Sequence, residues 1–235
     1  MLTNWTNELS GLSDKIYGLM ELTARNANFE VTAQDSRLVA LSGMQETVLS
    51  YVFWLSTYNS IAEGHQNESM ILKYAGSNLS LKHTAKMMLN QIRLGLVIFF
   101  HFKLENILGS LLSNISSKRL NSLGETFNEI SKEIGLSDVP KKAEIIKAFS
   151  SIRNSLHNNG IHNKESFSVK VGKFDYNFIK GDVVQCASLD HCITLIQEIT
   201  DIVECILVSE KIKAINEIIP DTYADWLDML NCTQN

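Results

Sequence analysis

The 235-residue chain is predicted to fold as a mainly α-helical bundle with one β-hairpin. Apolar residues recur at helical spacing through most of the chain, whereas polar and apolar residues alternate only over about 166–184. The chain has two prolines and twelve glycines, which favours long regular elements over a loop-rich or many-stranded fold. Because no repeat, low-complexity segment or linker divides it, we expect one domain over 1–235, with the helices of 1–80 as an accessory subregion.

Three helices are predicted in the first half of the chain. Residues 5–27 carry leucine and isoleucine at helical spacing, and residues 36–62 form a longer helix rich in aromatic side chains. Residues 81–113 give the longest helical pattern, which is apolar nearly all round between Leu94 and Phe100. We therefore expect it to be the central helix of the bundle, with an apolar run too short to span a membrane.

Two shorter helices follow the central one. Residues 124–135 form a helix that ends at a glycine. The next helix has Asp138 as its candidate N-cap and Pro140 in its first turn, where the missing N–H costs nothing. It continues to about His157, and Gly160 is well placed to end it.

The alternating segment comes before the last long helix. Residues 166–184 alternate on both sides of the sequence VGKFD, which is typical of a β-hairpin. From Ser188 an apolar stripe at helical spacing runs to about Ile215 and predicts the last long helix. A short helix over the sequence TYADWLDML is expected after Pro220.

Composition limits the function classes. The net charge of −5 and the pI of about 5.7 argue against a broad nucleic-acid-binding surface, although they allow a small local site. Four cysteines without a CxxC motif and an N-terminus without a signal-peptide pattern favour a cytoplasmic protein with no membrane contact. The sequence CASLDHC matches no standard zinc spacing, so we expect no metal and no cofactor.

The densest polar cluster is SIRNSLHNNGIH, at residues 151–162. Arg153 and His157 are four residues apart, so they are neighbours on one helix face, beside the apolar stripe of their helix. Asn154 is expected on the far side of that helix. The two charged side chains therefore converge at the border of the core, where a cleft or a subunit interface can form.

Arginine and histidine at this spacing suit phosphodiester chemistry. Arginine offers a planar fork of donors to a phosphate, and histidine exchanges a proton near neutral pH. Cleavage of RNA by its own 2′-hydroxyl needs these two functions and no metal. The alternative is an ordinary helix end, where a cation suits the helix dipole and asparagine tolerates a left-handed turn.

The sequence IRNSLHNNGIH resembles the signature of the HEPN superfamily (higher eukaryotes and prokaryotes nucleotide-binding domains), which consists of small helical bundles. Arg153 matches the arginine of the family, Asn154 the polar residue after it, and His157 the histidine, in an RN-x2-H arrangement. The family usually places about four to six residues between arginine and histidine. This chain has three before His157, or eight before His162. The resemblance covers about a dozen residues, the helical context and the position before the last long helix, and not the first 80 residues.

The resemblance implies a metal-independent endoribonuclease in a toxin–antitoxin or antiviral defence setting, with a composite site in a homodimer. By this analogy His157 is the general base or acid, Arg153 stabilises a phosphorane-like transition state, and Asn154 and Asn158 assist. His162 is the substitute or second proton carrier. The implied partners are the RNA substrate, a second copy of the chain, and an antitoxin or another protein.

Glu105 is the last candidate site residue. It lies on the long central helix beside His101 and Lys103, where its carboxylate can pair with Arg153 and hold that side chain in position. The alternative is that Lys103 and Glu105 line a solvated edge of the helix. The alternative function for the whole chain is a catalytically silent HEPN-like module that binds a partner protein or a nucleotide.

Overall fold

The computed structural model describes residues 2–27, 35–62 and 81–220. The elements of these residues follow one another in the order α1 (Leu2–Asn26), α2 (Ser36–Ala62), α3 (Leu81–Ile115), α4 (Leu123–Ile134), α5 (Val139–His157), β1 (Phe167–Val171), β2 (Phe174–Phe178), α6 (Leu189–Leu207) and α7 (Glu210–Lys213). The predicted fold class, a helical bundle with a hairpin before the last long helix, is confirmed.

Helix α3 is central, as its apolar pattern predicted. It packs against α2, α4, α5 and α6, while α1 packs against α2 and α6. Leu96, Phe100 and Leu104 of α3 are fully buried, whereas Phe99 is 55% exposed. The run that is apolar all round therefore faces the core on one side only, and it leaves aromatic surface on the other.

Helices α2 and α3 are both long and apolar enough to cross a membrane, by length and composition alone. The segments that pass this test are Ser36–Ser60 and Lys86–Ile115, and the buried share of their most apolar windows is 39% and 44%. The core helices of a soluble protein pass the same test, because a helix packed on several sides is apolar on several sides.

The ends of α4 and α5 follow local sequence signals. Ser122 caps α4 by accepting a hydrogen bond from the amide of Glu125, and Gly135 ends it in the left-handed region at φ 65°. Asp138 is at the N-cap position of α5, as predicted, but its side chain makes no capping bond, and Pro140 lies in the first turn. Both helices therefore begin and end within about two residues of the predicted positions.

The hairpin is antiparallel and pairs Phe167 with Phe178 and Val171 with Phe174. Its turn contains Gly172, whose φ of 56° is a conformation that glycine adopts without steric cost. Alternate residues of both strands are buried, which is why the alternation in the sequence predicted this element. The strands pack against α5 and α6 through β1.

Helix α6 ends earlier than the apolar stripe predicted. It stops at Leu207 rather than near Ile215, and a short helix, α7, follows after one turn. Ser209 causes the break, because its hydroxyl and its amide both bond to the carbonyl of Ile206 and so tighten the last turn. The short helix predicted after Pro220 lies outside the described residues.

A buried ion pair links the start of α2 to the last described residues. The guanidinium of Arg37 donates to both carboxylate oxygens of Asp35 at 2.8 and 2.7 Å, and both residues are buried. Asp35 also accepts from the amide of Ile219 at 3.1 Å, and the Ser36 amide donates to the Ile219 carbonyl. The pair therefore connects segments that are 184 residues apart in the chain.

Candidate functional site

Four of the six predicted site residues line one polar cavity of about 320 Å³. Its walls come from α3, the start of α4, α5 and the segment that leads into β1. The lining residues are His101, Glu105, Asn121, Ser122, Leu123, Gly124, Lys147, Ser150, Ser151, Arg153, Asn154, His162, Lys164 and Phe167. We call this the polar cavity. The predicted residues among them are Glu105, Arg153, Asn154 and His162.

Arg153 reaches the polar cavity from the flank of the buried stripe of α5, as the helical spacing predicted. Its Nη1 atom donates to the side-chain oxygen of Asn154 at 3.1 Å, and its guanidinium lies 5.7 Å from the ring centre of Phe102. Its Nε atom is buried and has no hydrogen-bond partner among the described residues. Asn154 therefore holds the guanidinium through Nη1, and Nε remains as a donor for a ligand.

Asn154 was expected on the far side of α5, and that expectation is wrong. It is half-buried and lines the polar cavity next to Arg153. The chain after α5 turns back, so that His162 and Lys164 line the same cavity as Asn154.

His162 is buried, with 3% of its surface exposed, and it is fixed on several sides. Its Nε2 lies 3.0 Å from the carbonyl oxygen of Glu165, and its ring packs against Phe167 and Phe178. Its backbone bonds to Asp182 and Gly181. Because a carbonyl only accepts hydrogen bonds, Nε2 must carry the hydrogen, which leaves Nδ1 of the neutral ring free to accept a proton.

Glu105 contacts His101 rather than Arg153. Its Oε2 atom lies 3.3 Å from Nδ1 of His101, one helical turn earlier on α3. This contact with His101 and the positive charge of Arg153 lower the pKa of Glu105, against burial, which raises it. The carboxylate is therefore ionised and acts electrostatically on Arg153, without the direct pairing that the sequence suggested.

His157 and Asn158 lie outside the polar cavity. His157 is exposed at the last residue of α5, and Asn158 is the C-cap, whose side-chain amide donates to the Asn154 carbonyl at 3.1 Å. Asn159 and Gly160 then adopt positive φ, and the Gly160 amide bonds to Ser155. These residues end the helix, so the helix-end interpretation describes this part of the cluster.

The cysteines and the histidine of the CASLDHC segment take part in packing and hydrogen bonds. Cys186 and Cys192 are buried, and burial raises the pKa of Cys192 to about 12. His191 Nδ1 lies 2.6 Å from the hydroxyl of Ser188, which caps α6. Within the ranges that the structure describes, no three His, Cys, Asp or Glu side chains come together in a way that can hold a metal ion.

Several cavity residues were missed at the level of sequence. Ser150 precedes Arg153 by one helical turn and so shares its face, a signal that was available. The pattern Ser122 to Glu125 is that of a capping box, which marks a helix N-terminus. Nothing local indicates that this N-terminus lies opposite Arg153, because the two are on different helices.

No protein family, curated protein or solved structure that was compared with the chain matches it. The resemblance to the HEPN superfamily therefore depends on the residues of the 151–162 segment alone. The polar cavity is the structural feature that bears on function.

Proposed function

We propose that the protein is a metal-independent endoribonuclease of HEPN type that acts as a homodimer with a composite site. The observation that carries the proposal is the convergence of Arg153, Asn154, His162 and Glu105 on one polar cavity. These residues come from two helices and a loop, and together they supply the charge and the proton transfer that RNA cleavage requires.

The reaction is attack of a ribose 2′-oxygen on the adjacent phosphorus. Nδ1 of His162 takes the proton of the 2′-hydroxyl, since Nε2 is bonded to the Glu165 carbonyl. The guanidinium of Arg153 stabilises the phosphorane-like transition state, and Asn154 holds that guanidinium in place. The bond from phosphorus to the 5′-oxygen breaks, the 5′-oxygen takes a proton from water, and His162 returns the proton it gained to the solvent, which leaves a 2′,3′-cyclic phosphate and a free 5′-hydroxyl as products.

The two histidine candidates differ in their surroundings. His157 has the shorter spacing from Arg153, but it is exposed and lies outside the polar cavity. His162 lines the polar cavity and is oriented by a backbone carbonyl. We therefore assign the general base to His162, and His157 with Asn158 to a secondary role at the surface.

A catalytically silent module that binds a nucleotide or a partner protein is the second candidate. The burial of His162 against Phe167 and Phe178 favours it, because a packed and hydrogen-bonded histidine is also a common structural element. Such a module retains the cationic cavity but transfers no proton.

Cleavage of labelled single-stranded RNA with EDTA present separates these candidates. We expect the wild type to cleave, His162→Ala to lose about 10²–10⁴-fold in rate, and the exposed His157→Ala to stay close to wild type. Arg153→Lys retains the charge but loses the planar fork, so it is expected to be slow as well.

Circular dichroism and gel filtration check that each variant is folded and retains its oligomeric state. If His157→Ala alone abolishes cleavage, the assignment of the base is wrong. If folded, dimeric wild type does not cleave, the silent module replaces the nuclease.

The cellular setting belongs to the same proposal. We propose a cytoplasmic toxin or antiviral defence protein, controlled by an antitoxin or another protein partner. Fractionation of cells tests the location, since α2 and α3 have the length and composition of membrane-spanning helices. Recovery of the protein in the membrane fraction would contradict it.

A further inference from the structure

Three residues of the polar cavity carry buried polar atoms without a hydrogen-bond partner among the described residues. The atoms are Nδ1 and Nε2 of His101, Oγ of Ser150 and Nε of Arg153. Leaving a buried polar group unpaired is costly, and such groups are concentrated at functional sites. All three can donate a hydrogen bond, so their common complement is a ligand with several acceptor oxygens.

His101 is the deepest of the three. Its side chain is 3% exposed, and its ring stacks on Phe149 with 5.6 Å between ring centres. The Glu105 carboxylate lies 3.3 Å from Nδ1, and Nε2 presents an N–H to an anion whenever the ring carries both hydrogens. Glu105 contacts Nδ1 and Phe149 packs on the ring face, so Nε2 is the ring nitrogen left for a ligand.

The N-terminus of α4 faces the same cavity. Ser122 satisfies the amide of Glu125, and the next amide, of Thr126, bonds to the Ser122 carbonyl. The amides of Leu123 and Gly124 precede the first helical bonds and have no carbonyl within the helix. The first turn of a 12-residue helix thus adds two N–H donors and a partial positive charge.

The charges of the polar cavity point to an anion. Lys147 and Lys164 are exposed lining residues, and Arg153 is the third cation. Glu105 is the one carboxylate in the lining, and it lies beside His101. A volume of 320 Å³ is at the lower end of the range of about 300–1,000 Å³ for small-molecule sites.

We propose that the polar cavity binds a single phosphate group at the N-terminus of α4, with His101, Ser150 and Arg153 as its inner donors. This inference deepens the proposed function and rests on the same cavity. The phosphate belongs to an RNA phosphodiester or to the terminal monoester of a nucleotide, and both present acceptor oxygens in one tetrahedral group.

The imidazole signals in two-dimensional NMR spectra of the full-length protein test the proposal directly. Inorganic phosphate, a nucleoside 3′-monophosphate and a 2′-deoxy dinucleotide are titrated separately. We expect the His101 signals, assigned with His101→Gln, to move on saturation. A response to the monoester alone identifies a terminal phosphate, and a response to the dinucleotide identifies a diester. If none of the three ligands moves them, the proposal is wrong.

Gly124→Asp is the informative variant. A Cβ atom at Gly124 meets no atom within 4 Å, and a carboxylate in the first turn suits the helix dipole, so the fold is expected to be retained. The same carboxylate repels phosphate, and we expect binding at least about tenfold weaker. Gly18→Asp adds an equal charge at an exposed helical glycine and is expected to bind as wild type does.

These measurements are independent of catalysis. Equal binding by Gly124→Asp and wild type would overturn the phosphate site even if RNA were cleaved. Phosphate binding without any cleavage would support the site while contradicting the nuclease.

Discussion

Two of the cavities that lie along α3 have opposite chemistry. The apolar cavity, of about 520 Å³, lies between α2 and the first half of α3, and its lining includes Tyr51, Trp54, Met87 and Phe99. None of the described residues that line it is charged. The polar cavity lies at the second half of the same helix and is lined by three cations and two histidines.

The difference bears on which cavity suits the proposed phosphate. An apolar cavity can stay empty, because its walls have no hydrogen bonds to lose. Burial does raise the pKa of Tyr51 in its wall, which keeps that phenol neutral. The polar cavity contains buried donors without partners, which is an unfavourable arrangement unless a ligand or water satisfies them. Of the two cavities, the polar cavity is therefore the one that suits the proposed phosphate.

The largest expected effect contrasts one phenylalanine from each region. Phe149, fully buried, supports His101 in the polar cavity, whereas Phe99 lines the apolar cavity and is 55% exposed. Phe149→Ala should lower the free energy of unfolding by about 3–5 kcal/mol. Phe99→Ala should lower it by about 1 kcal/mol or less, because half of that ring is already in water. Urea denaturation measures both, and equal losses would contradict the assigned difference between the regions.

Gly95 gives the next largest effect. In the apolar cavity the hydroxyl of Tyr51 approaches Gly95 so closely that a Cβ atom there would clash. Gly95→Ala should therefore destabilise the protein by about 1–3 kcal/mol, although alanine is the better helix former. Gly109→Ala on the same helix, where a Cβ meets nothing within 4 Å, is the control and should be neutral or stabilising. Thermal unfolding of the two variants decides the outcome.

Ser150 tests the unpaired donors of the polar cavity. Its hydroxyl is buried without a partner, whereas the buried hydroxyl of Ser155 on the same helix donates to the Ile152 carbonyl at 2.7 Å. Both alanine variants gain the same helix propensity. Without phosphate, Ser150→Ala should therefore exceed Ser155→Ala in stability by about 0.5–1.5 kcal/mol. If Ser150→Ala is the less stable of the two, its hydroxyl has a partner in the unliganded protein.

More of the fold than of the candidate site could be predicted from the sequence. Helix and strand periods are local, so the helices and the hairpin could be located from spacing, although α2 and α3 are apolar on too many sides for spacing to give their buried faces. The end of α6 could not, since the apolar stripe continues past Ser209, whose hydroxyl breaks the helix. Burial determines the spacing of the apolar residues, but the hydrogen bonds of Ser209 to the Ile206 carbonyl determine where α6 ends.

The choice between His157 and His162 needed the tertiary structure. Asn159 and Gly160 reverse the chain, and Ile161 then pairs with Val183, 22 residues later. This non-local pairing directs His162 into the polar cavity. A helical wheel places His157 beside Arg153, but it cannot place His162, because the helix ends at His157.

Removing the charge of Glu105 has the smallest expected effect on the free energy of unfolding, but the direction in which that effect changes with pH is well defined. The pKa of this carboxyl in the folded protein is lowered from its ordinary 4.5, chiefly by His101. A lowered folded pKa contributes stability above the unfolded pKa, and that contribution is lost as pH falls through the folded value. Wild type should therefore be slightly more stable than Glu105→Gln at neutral pH, and the difference should vanish in acid. Urea midpoints between about pH 7 and pH 3 measure this difference.

The exposed Glu144→Gln on α5 removes the same charge away from His101 and serves as the control. The Glu105 contribution is small because 41% of that side chain is exposed and solvent screens the interaction. A difference that grows in acid would mean that Glu105 is held in its neutral form. In that case the polar cavity would differ from the apolar cavity in its cations and not in an ionised carboxylate.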